Sequence, residues 1–172
     1  MSLSDIAGPM QQGLDQELES LFRAHYRMTY RTAYAITGRS EDAEDVVQTI
    51  FLRLVRREFP PDLMRKPAAY LYRAAVNLSL NTIRSRKRSA AADEALRHQV
   101  RPSIAESDSA EEIHCKLYEA VAELTPESAH ILILRYVHDY SDAEIAKLLG
   151  TSRGTIAVSL YRSRARLRKW MS

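Results

Sequence analysis

The chain has 172 residues, the length of one ordinary domain or two small ones, which excludes a large multidomain enzyme. Hydrophobic residues make up 45% and charged residues 27%, the balance of a folded soluble chain, and with five glycines and six prolines there is little material for turns. A single cysteine, Cys115, excludes an internal disulfide and a cysteine-rich zinc site. No run approaches the ~20 apolar residues of a membrane helix and the opening residues lack a signal-peptide core, so we expect a cytoplasmic protein without membrane insertion.

The net charge is only +3, but it is unevenly placed. Residues 67–92 carry five basic and no acidic side chains, residues 93–128 sum to −6, and residues 129–172 sum to +5. Two basic blocks divided by an acidic one fit two contacts with a polyanion; solvated helix faces would look the same by charge alone.

In chain order, Leu18, Leu21, Phe22, Tyr26, Tyr30, Ala33 and Tyr34 outline an amphipathic helix ending near Gly38. Ala43, Val46, Val47, Ile50, Phe51 and Leu54 then form a complete helical stripe, with Ser40 as N-cap and Glu41 and Asp42 in the first turn. Phe59-Pro60-Pro61 breaks this helix and opens a short loop. A third helix starts at Pro67 and runs to about Arg86, with Leu71, Ala75, Leu78 and Thr82 on its packing face. Residues 89–111 are small, acidic and interrupted by Pro102, and read as a flexible linker whose first part also fits a frayed helix.

A second helical domain is expected from Glu112, with Leu117, Val121 and Leu124 on one face. Thr125-Pro126 caps a helix through Ile131, Leu132 and Leu134. Ser141 and Glu144 fit a capping box, Gly150 ends that helix, and the last helix turns Ile156, Leu160 and Leu167 inward. The fold class is therefore all-α: two small helical domains joined by a flexible linker, the C-terminal one a helix-turn-helix. The boundaries are 1–16 for an N-terminal extension, 17–88 and 112–172 for the domains, and 89–111 for the linker.

The capped helix, glycine turn and basic helix over 141–168 suit a helix lying in the major groove, its early residues at base edges and its later arginines at phosphates. Tyr70, Arg73, Asn77, Asn81, Arg84 and Arg88 recur at helical spacing as one polar stripe. An aromatic ring, two amides and three guanidinium groups in line can stack on and bond unpaired bases. The same spacing fits a core tyrosine beside a solvated face, and periodicity alone leaves both readings open. Catalytic patterns are poor: the five histidines lack metal-ligand spacing, and there is no phosphate loop or nucleophile elbow. No catalytic residue, metal or cofactor is expected.

Four segments together resemble the extracytoplasmic-function group of bacterial RNA polymerase sigma factors. They are S-E-D-A-E-D-V-V-Q-T-I-F-L-R-L (40–54), P-A-A-Y-L-Y-R-A-A-V-N-L-S-L-N (67–81), L-T-P-E-S-A-H-I-L-I-L-R-Y (124–136) and Y-S-D-A-E-I-A-K-L-L-G-T-S-R-G-T-I (140–156), the last followed by L-Y-R-S-R-A-R-L-R (160–168). The resemblance implies that the helix from Asp42 docks on the clamp helices of the largest subunit of core polymerase, through Asp42, Asp45, Gln48, Thr49 and Leu52. It implies that the Tyr70–Arg88 stripe, with the loop from Arg56 to Lys66, captures the melted minus-ten strand. It also implies that the C-terminal helix reads the minus-35 element as duplex.

Relatives often carry basic or polar groups where this chain has Ala157, Val158 and Ser159. Apolar side chains there can contact a thymine methyl but cannot make the bidentate guanine contact. The minus-35 preference would then lean on Arg153, Tyr161 and Arg162, with phosphates held by Arg164, Arg166 and Arg168; Thr155, Ala157 and Val158 complete the expected minus-35 contact set. The implied partners are core RNA polymerase and promoter DNA. An anti-sigma factor is common in this group, and no residue here identifies one. The chain ends just past the last helix, so no C-terminal regulatory domain is expected. Two other classes stay in view: a dimeric helix-turn-helix regulator acting on duplex DNA without polymerase, and a helical adaptor binding RNA or protein.

Overall fold

A computed structural model describes residues 4–56, 60–97 and 109–171. Every element among them is an α-helix: α1 (Ser4–Thr37), α2 (Ser40–Arg56), α3 (Pro61–Arg65), α4 (Pro67–Arg97), α5 (Ser109–Ala122), α6 (Pro126–Tyr136), α7 (Asp142–Leu149) and α8 (Arg153–Met171).

α1, α2 and α4 pack around a first core in which all six residues of the α2 stripe are buried, together with Ala33, Leu63, Leu71 and Ala75. Fully burying a Val, Leu, Ile or Phe side chain stabilises by ~1.5–3 kcal/mol, so this one stripe anchors the N-terminal bundle. α1 buries Thr29, Thr32 and Thr37, and each hydroxyl donates back to the carbonyl four residues earlier (His25, Met28 and Ala33). α1 stops at Gly38, whose φ of +70° lets its N–H reach the Tyr34 carbonyl at 2.8 Å.

α5 to α8 surround a second core of Leu124, Ala129, Ile131 to Leu134, Ile145, Ile156 and Leu160. The same cluster takes in Ile36 of α1 and Tyr72, Val76, Leu80 and Ile83 of α4. The two halves of the chain therefore share an apolar contact through α4.

Several expectations need adjustment. The third helix runs past Arg86 to Arg97, so the first part of the 89–111 segment takes its helical alternative, and 98–108 lie outside the described residues. α5 starts at Ser109, ahead of Glu112. Leu117, expected on a packing face, is exposed. The proline loop contains the short helix α3, because Pro60 and Pro61 carry the backbone angles of a helix entry; Phe59 lies outside the described residues.

The buried and exposed leucines of this bundle should separate cleanly in denaturant. Leu71→Ala removes a side chain with no exposed surface and should cost ~2–5 kcal/mol in urea unfolding, whereas Leu52→Ala, at 52% exposure, should stay within ~0.5 kcal/mol of the parent.

Candidate nucleic-acid interface and docking face

The polar stripe is held by the burial of the other faces of α4. Leu71 and Ala75 are locked into the first core, and Tyr72, Val76, Leu80 and Ile83 into the second. What remains is the line Tyr70, Arg73, Asn77, Asn81, Arg84 and Arg88. Arg73, Asn77, Asn81 and Arg88 are exposed, while Tyr70 and Arg84 are half-buried. Tyr70 leans on the first core.

Two neighbouring cavities follow the stripe. One, of about 740 Å³, is lined by Arg73, Asn77, Asn81 and Arg84 on one side and by Pro126, Glu127, His130, Thr151 and Thr155 of the C-terminal helices on the other. The second, of about 600 Å³, brings Asp62, Arg65 and Lys66 of the α3 segment to Tyr70, Arg73 and Asn77, opposite Leu148 to Gly150.

Arg84 turns toward the C-terminal half. Its Nε and Nη2 donate to the carbonyls of Ala122 and Leu124, at 3.0 and 2.7 Å, satisfying acceptors at the end of α5. Three more contacts cross the same seam. Tyr72 donates its hydroxyl to the His130 carbonyl, Arg31 donates to the Val137 carbonyl at 2.9 Å, and Thr32 Oγ1 lies 2.8 Å from His138 Nε2. The Thr32 hydroxyl also points its proton at the Met28 carbonyl, so His138 Nε2 is the donor to Thr32, which fixes its tautomer. Sequence reasoning missed this second apolar face of α4. Its signal was Tyr72, Val76, Leu80 and Ile83 at i, i+4, i+8 and i+11.

On α2, Asp45, Gln48 and Leu52 face solvent and Thr49 is half-buried. Asp42 turns inward: Arg86 Nη1 bonds its carboxylate at 2.5 Å, and Arg86 Nη2 donates to the Thr37 carbonyl. Asp42 therefore ties α2 to α4.

The helix-turn-helix forms as the spacing predicts. Ser141 Oγ accepts from the Glu144 N–H, and the Glu144 carboxylate accepts from the Ser141 N–H. The Ser141 hydroxyl also donates to that carboxylate at 2.7 Å, and this bond together with the one from the Ser141 N–H holds the Glu144 carboxyl below the usual carboxylate range. Gly150 adopts φ +71° and closes α7, while Ser152 Oγ caps α8 by accepting from the Thr155 N–H. Ile145 and Ile156 are fully buried at the helix–helix contact. Arg153, Thr155, Ala157, Val158, Tyr161 and Arg162 are exposed, Tyr161 at 71%. Val158 and Arg162 border a shallow 410 Å³ cavity with Ser128 of α6, which sequence reasoning did not single out. Arg164 is held against Tyr136, donating to its hydroxyl and lying 5.6 Å over its ring. Among the described residues no cluster of His, Cys, Asp or Glu could hold a metal, and no helix is long and apolar enough to cross a membrane.

The Sigma-70 region 2 family model matches residues 21–89, and the Sigma-70 region 4 model matches residues 116–167. The ECF RNA polymerase sigma factor SigE of Mycolicibacterium smegmatis is 30% identical over 162 residues, which cover 90% of this chain and 61% of that protein. The RNA polymerase sigma-E factor of Streptomyces antibioticus is 31% identical over 162 residues, covering 93% and 87%. The sigma factor RpoE of Bartonella quintana, solved in complex with the anti-sigma factor NepR, is 20% identical with a TM-score of 0.47, covering 93% of this chain and 97% of that one. Two helical domains, one of them a helix-turn-helix, with both sigma regions in order, define a transcription factor of the initiation machinery. This chain belongs to the extracytoplasmic-function group of RNA polymerase sigma factors, which are initiation factors and not catalysts.

The seam histidines give the fold an acid sensitivity. Burial, with Arg73 nearby, pushes His130 down from its usual 6.5 to about 4, and burial likewise lowers His138. A neutral, buried imidazole contributes most above pH 6.5. Below that the unfolded or opened chain takes up the proton first, so stability falls as pH drops toward 4. Thermal melts from pH 7.5 to 4 should show this decline, and a His130→Leu variant should show a shallower one.

Proposed function

We propose that this chain directs bacterial core RNA polymerase to a set of promoters in the cytoplasm, docking through α2, capturing the melted minus-ten strand along α4 and reading the minus-35 duplex with α8. The observation that carries this reading is the α4 stripe. An aromatic ring, two amides and three arginines stand in one line on a helix whose other faces are buried, so their spacing is rigid.

Docking falls to Asp45, Gln48, Thr49 and Leu52, with the exposed Val55 extending the apolar patch of Leu52. Asp42 supports this face from behind through Arg86. A half-exposed leucine on a rigid helix is suited to an anchor in a partner's pocket.

Strand capture rests on Tyr70, Arg73, Asn77, Asn81, Arg84 and Arg88, with Arg65 and Lys66 beside them. Base–aromatic stacking is worth ~1–3 kcal/mol per base, against a cost of a few kcal/mol for extruding a base. Capturing the strand therefore offsets much of the cost of unpairing, and melting is coupled to recognition. The catalytic chemistry remains with core polymerase.

Duplex reading rests on Arg153, Thr155, Ala157, Val158, Tyr161, Arg162 and Arg164. Ala157 and Val158 suit thymine methyl groups, and Arg162 is the side chain here suited to a guanine edge. Two readers on one chain raise each other's effective concentration at the promoter, which lets modest individual affinities suffice.

The test is run-off transcription with purified core polymerase and a promoter pool. The expected result is specific starts that vanish without this chain. Duplex binding without polymerase, and no starts with it, would favour a dimeric regulator instead. Leu52→Ala should weaken core binding ~5–30-fold with stability retained. Arg162→Ala should cost ~1–3 kcal/mol of duplex affinity, and unchanged affinity would remove Arg162 from the reading.

A further inference from the structure

The two cavities along α4 are continuous, since Arg73, Asn77 and Leu149 line both. Their volumes, about 740 and 600 Å³, fall within the ~300–1,000 Å³ of small-molecule sites. We propose that this double cavity binds a guanine nucleotide carrying two or more phosphates, with the base in the first lobe and the phosphates in the second. The site needs neither polymerase nor promoter, and so goes beyond the reading above.

The second lobe is electropositive. Arg65, Lys66 and Arg73 line it against a single carboxylate, Asp62. All three cations are exposed, and none forms an ion pair among the described residues. Their donors are therefore open to phosphate oxygens, and several phosphates in a row would use more of them than one. Tyr70 lines the same lobe and adds an aromatic surface.

The first lobe has the walls and the polar groups of a base site. Leu80, Pro126 and Ile131 supply apolar surface. The Asn77 and Asn81 amides stand one helical turn apart on α4, and the Glu127 carboxylate lies on α6 across the cavity. Guanine presents the acceptors O6 and N7 on one edge and the donors N1–H and N2–H on the next. An amide N–H donates to the first edge and a carboxylate accepts from the second. Adenine carries an amine where guanine has O6 and a lone pair at N1, which a carboxylate repels.

These groups are also available. Asn81 and Glu127 have no hydrogen-bond or ion-pair partner among the described residues. Asn77 has only its 3.4 Å contact with His130 Nε2, a long bond that a ligand can replace. His130 itself lines the lobe, is more than nine-tenths buried, and has its Nδ1 without a partner among the described residues. That wall is therefore short of a hydrogen-bond partner as it stands. Arg84, the other cation of this lobe, is committed to the Ala122 and Leu124 carbonyls and does not compete for the base. The nucleotide differs from a captured strand in needing Glu127 on the opposite wall as well as the α4 amides.

The test is calorimetric titration of the full chain, without polymerase or DNA, with GTP, ATP, GMP and inorganic triphosphate. GTP should bind with one site per chain, and ATP at least ~5-fold more weakly, from the loss of the matched base edges. GMP and inorganic triphosphate should each be at least ~10-fold weaker than GTP, because each fills one lobe and forgoes the linkage between them. Glu127→Gln decides the base contact by its sign. Removing a negative charge tightens any non-specific anion, whereas GTP binding should weaken ~5-fold and ATP binding should not. Lys66→Ala should weaken GTP and ATP alike. Both side chains are exposed, so melting temperatures should match the parent, and Asn81→Ala repeats the base test from the other wall. No saturable GTP binding, equal affinity for GTP and ATP, triphosphate binding as tightly as GTP, or GTP binding that Glu127→Gln leaves unchanged or tightens would each overturn the proposal. Run-off transcription tests the sigma reading separately.

Discussion

Everything in this protein is organised around the three faces of α4. One face, Leu71 and Ala75, completes the N-terminal core; a second, Tyr72, Val76, Leu80 and Ile83, completes the C-terminal one; the third is left for polar side chains. A helix buried on two sides has little freedom to rotate, so the amides and guanidinium groups on its third side keep a fixed spacing. Rigid spacing is what reading unpaired bases requires, since a flexible platform would lose affinity to the entropy of ordering.

The two apolar faces differ in chemistry. The one toward α1 and α2 packs a continuous apolar cluster, with the Asp42–Arg86 ion pair beside it. The one toward α5 to α8 is mixed with polar groups: the Tyr72 hydroxyl on a carbonyl, two neutral histidines, and arginines bonded to helix-end carbonyls. Such groups can exchange their partners for water at modest cost, which is the pattern of an interface that separates. Burial raises the Tyr72 hydroxyl above its usual range, so it stays a neutral donor at the centre of that seam.

Much of this was legible in the sequence. The α2 stripe was readable because one uninterrupted period placed six apolar residues on one side, and all six are buried. The helix-turn-helix was readable because its caps are local: Ser141 and Glu144 need only each other, and Gly150 needs only its own φ. The second face of α4 was hidden because a helix that is apolar on two sides has no single stripe, and Leu71, Ala75, Leu78 and Thr82 alone make a sufficient packing face. Asp42 reads as an outward first-turn acid until Arg86, 44 residues away, claims it. Arg84 likewise belongs to the stripe by spacing but to the turn from α5 into α6 by contact. In each case the missing information is a long-range partner, which local periodicity does not contain.

The central claim, that α4 couples recognition to melting, is tested most directly by permanganate footprinting of thymines in complexes of this chain with core polymerase on a promoter it uses. The account predicts reactive thymines in the minus-ten region with the parent chain. With a Tyr70→Ala, Asn77→Ala, Asn81→Ala variant it predicts their loss, while upstream protection at the minus-35 element persists. Undiminished thymine reactivity with that variant would contradict the assignment of α4 as the strand-capturing helix.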